Sequence, residues 1–312
     1  MAISALRHPL LPCQCLTMLN LRRPHLRKSQ KRLWFSVLPL ALVLALVSPG
    51  CTQTAACTCT ELGANVSLSL PVQSIHNQTL VDSWKAYRSR FIQGDGRVID
   101  REAQDRTVSE GQAYAMLRAV AINDPETFQR TYAWAKNNLA RQDENGQPTD
   151  LLWAWKWGQR TDGSWGIQDG NFATDADIDA ATALILAAQR WHCPQYLDEA
   201  RALLADIWEH GTVLLPDGRR QLLPGPAEAF FAEPNRLILN PSYFAPASLR
   251  LFAEVDPERD WASLIDSGYA MLDDLAGLST TGLPPDWVAY DPHYQNLPPA
   301  RARLSLAKSL QL

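Results

Sequence analysis

The segment 173–191 (ATDADIDAATALILAAQRW) constrains the fold more than any other stretch of the chain. It places Asp175, Asp177 and Asp179 within five residues and then continues without a charged side chain from Ala180 to Ala188. A helix this long and this uncharged is covered by neighbouring elements on most of its surface. The segment therefore predicts a buried helix with an acidic N-terminal turn, in a domain made of packed helices.

The acidic turn has two interpretations. The side chain of Thr174 or Asp175 can cap the helix, because a short oxygen side chain satisfies free N–H groups of the first turn, and acids are favourable at that end of the helix dipole. The other interpretation is a sugar-binding site, since the preceding loop holds several glycines and four tryptophans between residues 153 and 165. Residue chemistry alone leaves both interpretations open.

A second segment, Thr107–Ala121 (TVSEGQAYAMLRAVA), predicts another helix, because its apolar residues recur at helical spacing. Thr107 or Ser109 can cap this helix, which places Glu110 and Gly111 in its first turn. Glycine is a weak helix former, and it suits a position where something approaches the backbone closely. Glu110 is either an acid that complements the helix dipole or a functional carboxylate.

The rest of the chain also reads as helical. Further helices are predicted at 81–92, 123–139, 194–210, 241–253 and 260–275. A small hairpin is predicted at 212–223, around Pro216-Asp217-Gly218. With about seven substantial helices and little strand signal, we expect an all-α domain of antiparallel helical hairpins.

The first sixty residues differ from the rest, since they hold seven Lys or Arg and no Asp or Glu. A basic stretch ending at Arg32 precedes the apolar run Leu33–Val47, and a Ser-Pro-Gly-Cys sequence ends at Cys51. This order is that of an export signal with a lipoprotein-like cleavage site; a retained anchor helix is the alternative, for which the run is short. We expect 1–60 to be an export or anchor segment, 61–80 to be a linker, and the protein to be periplasmic or extracellular.

Composition limits the partners. Without residues 1–60, 22 basic and 33 acidic residues remain, and a net charge of −11 repels nucleic acid. Eleven tryptophans favour a neutral carbohydrate ligand, because a flat apolar ring covers the apolar face of a sugar. The six cysteines match neither a disulfide framework nor a zinc site, so no metal or other cofactor is expected. We expect a monomer that meets a membrane only through its N-terminal segment.

Several blocks, in the same order along the chain, resemble signature segments of glycoside hydrolase family 8, a family of bacterial endoglucanases. These blocks are Ser109–Tyr114, Ala154–Gly158, Ala173–Trp191, Asn240–Tyr243 and Pro285–Val288. One difference is Ala180, where the family signature has Ile or Met. The resemblance covers residues 81–290.

The resemblance implies an (α/α)6 barrel of six helical hairpins and inverting hydrolysis of β-1,4-glucan. It assigns Glu110 as the general acid and places Asp175 at the centre of the cleft, against the sugar at the scissile bond. Trp155 would be a stacking platform, with Tyr114 and Asp177 as further substrate-binding residues. An inverting enzyme needs an acid and a base about 6.5–9.5 Å apart, so that a water fits between substrate and base.

The resemblance stops before the family's base. No Ser-Tyr-Asp-Ala-x-Arg-like segment follows Tyr290, and residues 300–312 match nothing in the family. We therefore expect a catalytic domain at 81–299 that is incomplete at its C-terminus. The alternative function is a catalytically impaired protein that binds glucan or assists cellulose assembly. A third interpretation is hydrolysis of another polymer, such as chitosan or xylan.

Overall fold

The computed structural model describes residues 78–233, 236–277 and 280–290, together with the backbone of 304–306. The expected export segment and the linker as far as residue 77 lie outside the described residues. In the described part, the helices are α1 (Gln78–Phe91), α2 (Ser109–Ile122), α3 (Pro125–Asn138), α4 (Thr174–Trp191), α5 (Pro194–His210), α6 (Ala227–Phe230), α7 (Pro246–Val255) and α8 (Trp261–Ala276). Seven of these have ten or more residues, as predicted.

Short strands connect the helices. They are β1 (Thr107–Val108), β2 (Ala140–Gln142), β3 (Pro148–Gln159), β4 (Trp165–Phe172), β5 (Thr212–Leu214), β6 (Arg220–Leu222), β7 (Phe231–Glu233), β8 (Arg236–Leu239), β9 (Val288–Tyr290) and β10 (Leu304–Leu306). They form three antiparallel groups: β1, β2 and β4 around β3, β5 with β6, and the series β7–β8–β9–β10.

Helix α4 is the centre of the main core. Eleven of its eighteen residues are buried, and α2, α5 and α7 pack against it. Ala180, the position that differs from the family signature, is fully buried. The helices also pack as sequential pairs, α2 with α3, α4 with α5 and α7 with α8. The predicted buried helix and the predicted helical hairpins are therefore both confirmed.

Most helix bounds agree with the sequence periodicity, and the range predicted for α5 is confirmed at both ends. Helix α1 is described from Gln78, inside the expected linker, and the Gln78 side-chain amide donates to Asp82 Oδ1 one turn later (2.8 Å). The helix predicted at 241–253 is divided into a 3₁₀ turn, Pro241–Tyr243, and α7. The cause is Pro246, since the residue before a proline is disfavoured in helical conformation.

The predicted N-caps of α2 and α4 are wrong. The residues that precede these helices are Val108 and Ala173, and neither cap makes a side-chain hydrogen bond. Thr107 Oγ1 instead donates to the carbonyl of Val98 (2.7 Å), and the backbone N–H of Thr174 donates to the carbonyl of Pro224 (3.1 Å). Both helices follow strands closely, so the chain enters them extended and held by neighbouring backbone.

The described residues contain more strand than the sequence indicated, chiefly in the aromatic segment read as a loop. Strand β3 is twelve residues long, and it turns at Gly163 (φ 83°) into β4. Tryptophan favours extended chain, but an apolar run of this length is compatible with either helix or strand. Pairing with β1, β2 and β4 decides for the strand. Of these partners β1 is distant in sequence, and β2 and β4 are joined to β3 by short turns.

A smaller apolar cluster lies between α8 and the strands β8 and β9. Its members include Leu237, Met271, Leu275 and Tyr290. The predicted hairpin at 212–223 is confirmed as β5 and β6, with Gly218 in its turn. Strand β10 comes from the tail that matched no family segment and pairs with β9. Within the described residues, no helix combines the length and apolar character needed to cross a membrane.

Candidate functional site

Strand β3 lies between the strands that lead into α2 and α4. Its Lys156 pairs with Val108 of β1 on one side and with Asp169 of β4 on the other. Helix α2 begins directly after β1, and α4 begins two residues after Phe172, the end of β4. The sheet therefore brings the first turns of the two helices, with their carboxylates, to the two sides of the aromatic strand.

A buried glutamine holds the first turn of α2 in place. Gln112 is fully buried, and its Oε1 accepts from the backbone N–H of Val98 (2.5 Å). Its Nε2 donates to the carbonyls of Gly96 (3.3 Å) and Thr131 (3.0 Å). These bonds tie α2 to the 96–98 turn and to α3, which positions Glu110 two residues earlier.

Glu110 is half-buried at the start of α2. Burial raises the pKa of its carboxyl above the ordinary value, because the charged form loses contact with water. A hydrogen bond donated by the Ser109 hydroxyl to Oε2 (3.2 Å) and the positive charge of Arg106 oppose that rise. Glu110 is therefore a carboxyl that keeps its proton to higher pH than an exposed glutamate.

Asp175 lies in the first turn of the neighbouring helix α4. Burial, then the negative charge of Glu110, then that of Asp179 raise its pKa to about 7, although Asp175 Oδ1 accepts from the N–H of Ala176 (2.8 Å). Two carboxyl groups that repel each other in this way do not both ionise near neutral pH. Glu110 and Asp175 are thus brought together as an electrostatically coupled pair.

The three aspartates of α4 lie on two faces of the helix. Asp175 and Asp179 are four residues apart and so share one face of the helix; both are half-buried, and burial raises the pKa of Asp179 to about 6. Asp177 is fully buried, and its Oδ1 accepts from the N–H of Trp153 on β3 (3.1 Å). A carboxylate that no solvent reaches lies beneath the cleft, where it supports the aromatic strand.

Two tyrosines complete the carboxylate cluster. Tyr114 is 49% exposed on α2, and burial and the charges of Asp175, Asp179 and Glu110 raise the pKa of its hydroxyl. Burial and the charges of Asp175 and Glu110 also raise the pKa of the Tyr243 hydroxyl. Both hydroxyls are therefore neutral hydrogen-bonding groups beside the pair.

The tryptophans of β3 have different roles. Trp153 is only 4% exposed and belongs to the core. Trp157 packs edge-on against Trp134, with ring centroids 5.2 Å apart. Trp155 remains half-buried, and the ammonium of Lys156 lies 5.4 Å from its ring centroid. Of the three, Trp155 best fits a platform for a ligand.

The arrangement can hold a proton beside a polar ligand at neutral pH. A buried carboxyl with a raised pKa can donate that proton to a leaving oxygen, while a nearby carboxylate stabilises developing positive charge on a sugar ring. Among the described residues, no group of three or more His, Cys, Asp or Glu side chains is arranged to hold a metal.

Asp179 and Tyr243 belong to the cluster but were not among the predicted site residues. The spacing of Asp179 from Asp175 was a usable signal, because residues four apart face the same way on a helix. Tyr243 has no such spacing signal, and its one sequence signal is that it ends the block Asn240–Tyr243, which resembles the family. It reaches the pair from a 3₁₀ turn far along the chain, and only the fold brings it there.

The model for Glycosyl hydrolases family 8 matches residues 54–301. The endoglucanase of Pseudomonas fluorescens (strain SBW25) is 39% identical over 208 residues, which cover 66% of this chain and 51% of the relative. The endoglucanase of Escherichia coli (strain K12) is 34% identical over 230 residues, 73% of this chain and 60% of the relative. The chain thus spans between half and three fifths of these relatives.

Solved structures agree with the sequence comparison. The crystal structure of endoglucanase Cel10, a family 8 glycosyl hydrolase from Klebsiella pneumoniae, has a TM-score of 0.62 at 33% identity, over 73% of this chain and 67% of that one. The endo-β-1,4-glucanase CMCax from Acetobacter xylinum also has a TM-score of 0.62, at 29% identity, over 74% of this chain and 66% of that one. By family match, relatives and fold, this chain belongs to glycosyl hydrolase family 8 and has the (α/α)6 architecture of that family.

Proposed function

We propose that this chain forms the cleft of an endo-acting glycosidase that hydrolyses β-1,4-glucan with inversion. The observation that carries the proposal is the placement of Glu110 and Asp175 in the first turns of two packed helices, on either side of the strand that bears Trp155. Acid, carboxylate and aromatic platform are the groups that cleavage of a glycosidic bond needs.

Glu110 is the general acid in this proposal. Its proton passes to the glycosidic oxygen as the bond to the anomeric carbon breaks, and a water adds to that carbon from the opposite face. One proton of that water passes to a base, a role to which no described residue is assigned, and the other stays in the new anomeric hydroxyl group. Asp175 remains beside the ring and stabilises the positive charge that develops there. Burial raises the pKa of Glu110 and so favours the protonated form that an acid requires. The pKa of Asp175 is raised as well, to about 7, so the coupled pair shares one proton near neutral pH. Hydrolysis uses the arrangement with that proton on Glu110 and the charge on Asp175.

Trp155 is the proposed platform for the sugar ring, and Tyr114 and Asp179 border the same cluster. The endoglucanases among the relatives support a cellulose-like chain as the substrate. A chain of neutral glucose units has one flat apolar face for Trp155 and hydroxyl edges for the carboxylates and tyrosines.

Binding without cleavage is the second candidate function. One sequence observation favours it: the 312 residues contain no Ser-Tyr-Asp-Ala-x-Arg-like segment, from which the family resemblance implies a base. General-base catalysis typically contributes about 10²–10⁴ in rate. The two candidate functions share the same glucan ligand, and only the first includes its hydrolysis.

Glu110→Gln tests the proposal, with release of reducing ends from carboxymethyl-cellulose as the measurement. The hydrolysis rate of the variant should fall by a factor of about 10²–10⁴. Its affinity for cello-oligosaccharides should stay the same. Glu126→Gln is the matched control, because Glu126 is an exposed acid in the first turn of α3. If both variants keep full activity, Glu110 only complements the helix dipole. If the unaltered chain binds cello-oligosaccharide and releases no ends, the binding function replaces hydrolysis.

We also propose export, on the composition of residues 1–60 alone. Expression of the full chain in bacteria, followed by separation of cytoplasmic, periplasmic and membrane fractions, tests it. Recovery of the chain from the cytoplasm at full length would overturn it. Substituting Cys51 by Ser should release a lipid-anchored form from the membrane fraction.

A further inference from the structure

A groove of about 720 Å³ lies between the loop that follows α1 and the hairpin of β3 and β4. The loop contributes Glu102, Gln104 and Arg106, and the hairpin contributes Lys156 and Arg160. The volume is within the range of sites that hold small ligands, about 300–1,000 Å³. The groove is thus large enough for part of a saccharide chain.

The groove is positively charged in a chain with a net charge of −4. Three cations, Arg106, Lys156 and Arg160, line it against one carboxylate, Glu102. Of the three, only Arg106 has an ion pair within the described residues, from its Nε to Asp100 Oδ2 (3.4 Å). The charge of Arg160 also lowers the pKa of Asp162, so Arg160 is partly compensated. Three cations against one carboxylate still leave the lining of the groove with net positive charge.

Arg160 is held in a fixed orientation. Its Nε donates to the carbonyl of Ile167 across the hairpin (3.1 Å), and its guanidinium lies on Gly166. A Cβ on that glycine would come within 2.4 Å of Arg160 Cζ. Neither terminal nitrogen of Arg160 bonds to another described residue, so both remain for a ligand. A pre-oriented guanidinium suits the two oxygens of a carboxylate or phosphate.

The loop side of the groove has a backbone that is costly to maintain. Gln104 (φ 58°) and Asp105 (φ 54°) are successive non-glycine residues in the left-handed region, a conformation that costs about 1–3 kcal/mol per residue. Buried Arg97 holds them there, since it donates to the carbonyl of Asp105 and, through Nε, to Thr107 Oγ1 (2.9 Å). Such conformations cluster at ligand sites.

Two residues that line the groove also act on residues of the candidate site. Arg106 lowers the pKa of Glu110 through its charge, and Lys156 lies over the ring of Trp155. A glucan chain that lies across Trp155 would therefore pass next to Lys156 of the groove.

Building on the proposed glucan site, we propose that this groove binds an anionic group, carboxylate or phosphate, carried by a sugar unit of the glucan chain. Lys156 and Arg160 supply the attraction. The groove makes the protein select glucans with acidic substituents over neutral ones.

Calorimetric titration of the full chain tests this with three probes: a neutral cello-oligosaccharide, the same oligosaccharide with one C6 carboxylate, and the same with one C6 phosphate. At low salt the acidic probes should bind about 3- to 10-fold more tightly than the neutral one, the effect of one or two partly exposed ion pairs. The preference should vanish near 1 M salt, where the Debye length is about 3 Å. A difference between the two acidic probes identifies the preferred anion.

The double variant Lys156→Gln/Arg160→Gln should lose the preference for the acidic probes. Arg160→Gln alone leaves Lys156 against the ring of Trp155. It should therefore reduce the preference and keep the affinity for the neutral probe. Arg250→Gln, which removes an exposed charge from α7 outside the groove, should change nothing. Equal affinity for all three probes, or a preference that survives the double variant, would overturn the proposal.

The outcome is separable from that of the proposed hydrolysis, because binding is measured without turnover. If the protein prefers the acidic probes but hydrolyses no glucan, the groove proposal holds and the proposed hydrolysis is wrong. If the protein hydrolyses neutral glucan but shows no preference for the acidic probes, the proposed hydrolysis holds and the groove proposal is wrong. A chain that binds none of the three probes overturns both the glucan site and the groove.

Discussion

The carboxylate of Asp177 on α4 accepts a hydrogen bond from the backbone N–H of Trp153 on β3, at 3.1 Å. This bond joins the helix that carries Asp175 to the strand that carries Trp155. The side chain of Asp177 is fully buried, and its Oδ2 has no partner in the described part of the chain. Burial raises the pKa of this carboxyl well above its ordinary value, so the protonated form is favoured in the folded state.

We expect Asp177→Asn to change how stability depends on pH. Because the folded-state pKa of Asp177 lies above the unfolded value, its contribution is fully present below pH 4 and is lost as pH rises toward the folded pKa. Asparagine does not titrate, so the variant gains stability relative to the unaltered chain from pH 4 to 7. Urea unfolding at several pH values measures this. Parallel stability curves for the two proteins would contradict the expectation.

Asp177→Ala should destabilise the fold at every pH. The N–H of Trp153 would be left buried without an acceptor, which costs about 1–3 kcal/mol. The midpoint of urea unfolding measures the loss, and Asp177→Asn is the control because it keeps an oxygen acceptor. Equal midpoints for the alanine and asparagine variants would mean that the bond to β3 contributes nothing.

Glu110→Gln should lower the pKa of Asp175 from about 7. The charge of Glu110 is the largest influence after burial on that pKa, and glutamine removes the repulsion while it keeps the size of the side chain. Carbon-13 NMR of labelled aspartate carboxyls across pH 4–9 follows the titration. Glu126→Gln should leave the pKa where it is. An Asp175 pKa that stays near 7 in Glu110→Gln would mean that the two carboxyls are not coupled.

Trp155→Ala should weaken cello-oligosaccharide binding by about tenfold, the upper end of what an aromatic contact contributes beyond its buried area. Trp155→Phe keeps a flat apolar ring and should stay within about threefold of the unaltered protein. Fluorescence or calorimetric titration with a neutral oligosaccharide gives both affinities. Equal affinity in the alanine variant would place the sugar platform elsewhere on β3.

Gly96→Ala should destabilise the turn that anchors α2. Gly96 has a φ of 98°, and a Cβ there would come within 2.3 Å of the backbone of Arg130. Strain and overlap together should cost about 2–4 kcal/mol. Gly94→Ala, two residues earlier, is the matched control, because a Cβ at Gly94 meets nothing within 4 Å. Thermal unfolding of the two variants compares them, and a similar loss in both would show that the Gly96 contact is not limiting.

The helical part of the fold was predictable from sequence because a helix is stabilised within its own segment. The apolar period of 3.6 residues located α4 and α5, and Asp124 and Pro125 marked the start of α3, where Asp124 Oδ1 accepts from the N–H of Thr127 (3.0 Å). The same period, applied to the acidic turn, places Asp175 and Asp179 on one face of α4 and Asp177 on another. Glu110, Asp175 and Trp155 were named from the family resemblance. The structure brings Glu110 and Asp175 together, and Trp155 lies on the strand between the elements that carry them.

The strands and the tertiary contacts of the site were decided by the fold alone. Strand β3 is extended because β1 and β4 bond to its two edges, and a strand cannot satisfy its backbone groups within its own segment. Asp177 lies under the cleft because β3 crosses above it, and Tyr243 reaches the carboxylates because the segment after β8 returns to α2 and α4. Sequence determined the helices and the residue types of the site, since both are local. Tertiary structure determined which of those residues meet, which are buried and which pKa values rise, since these depend on neighbours far away in the chain.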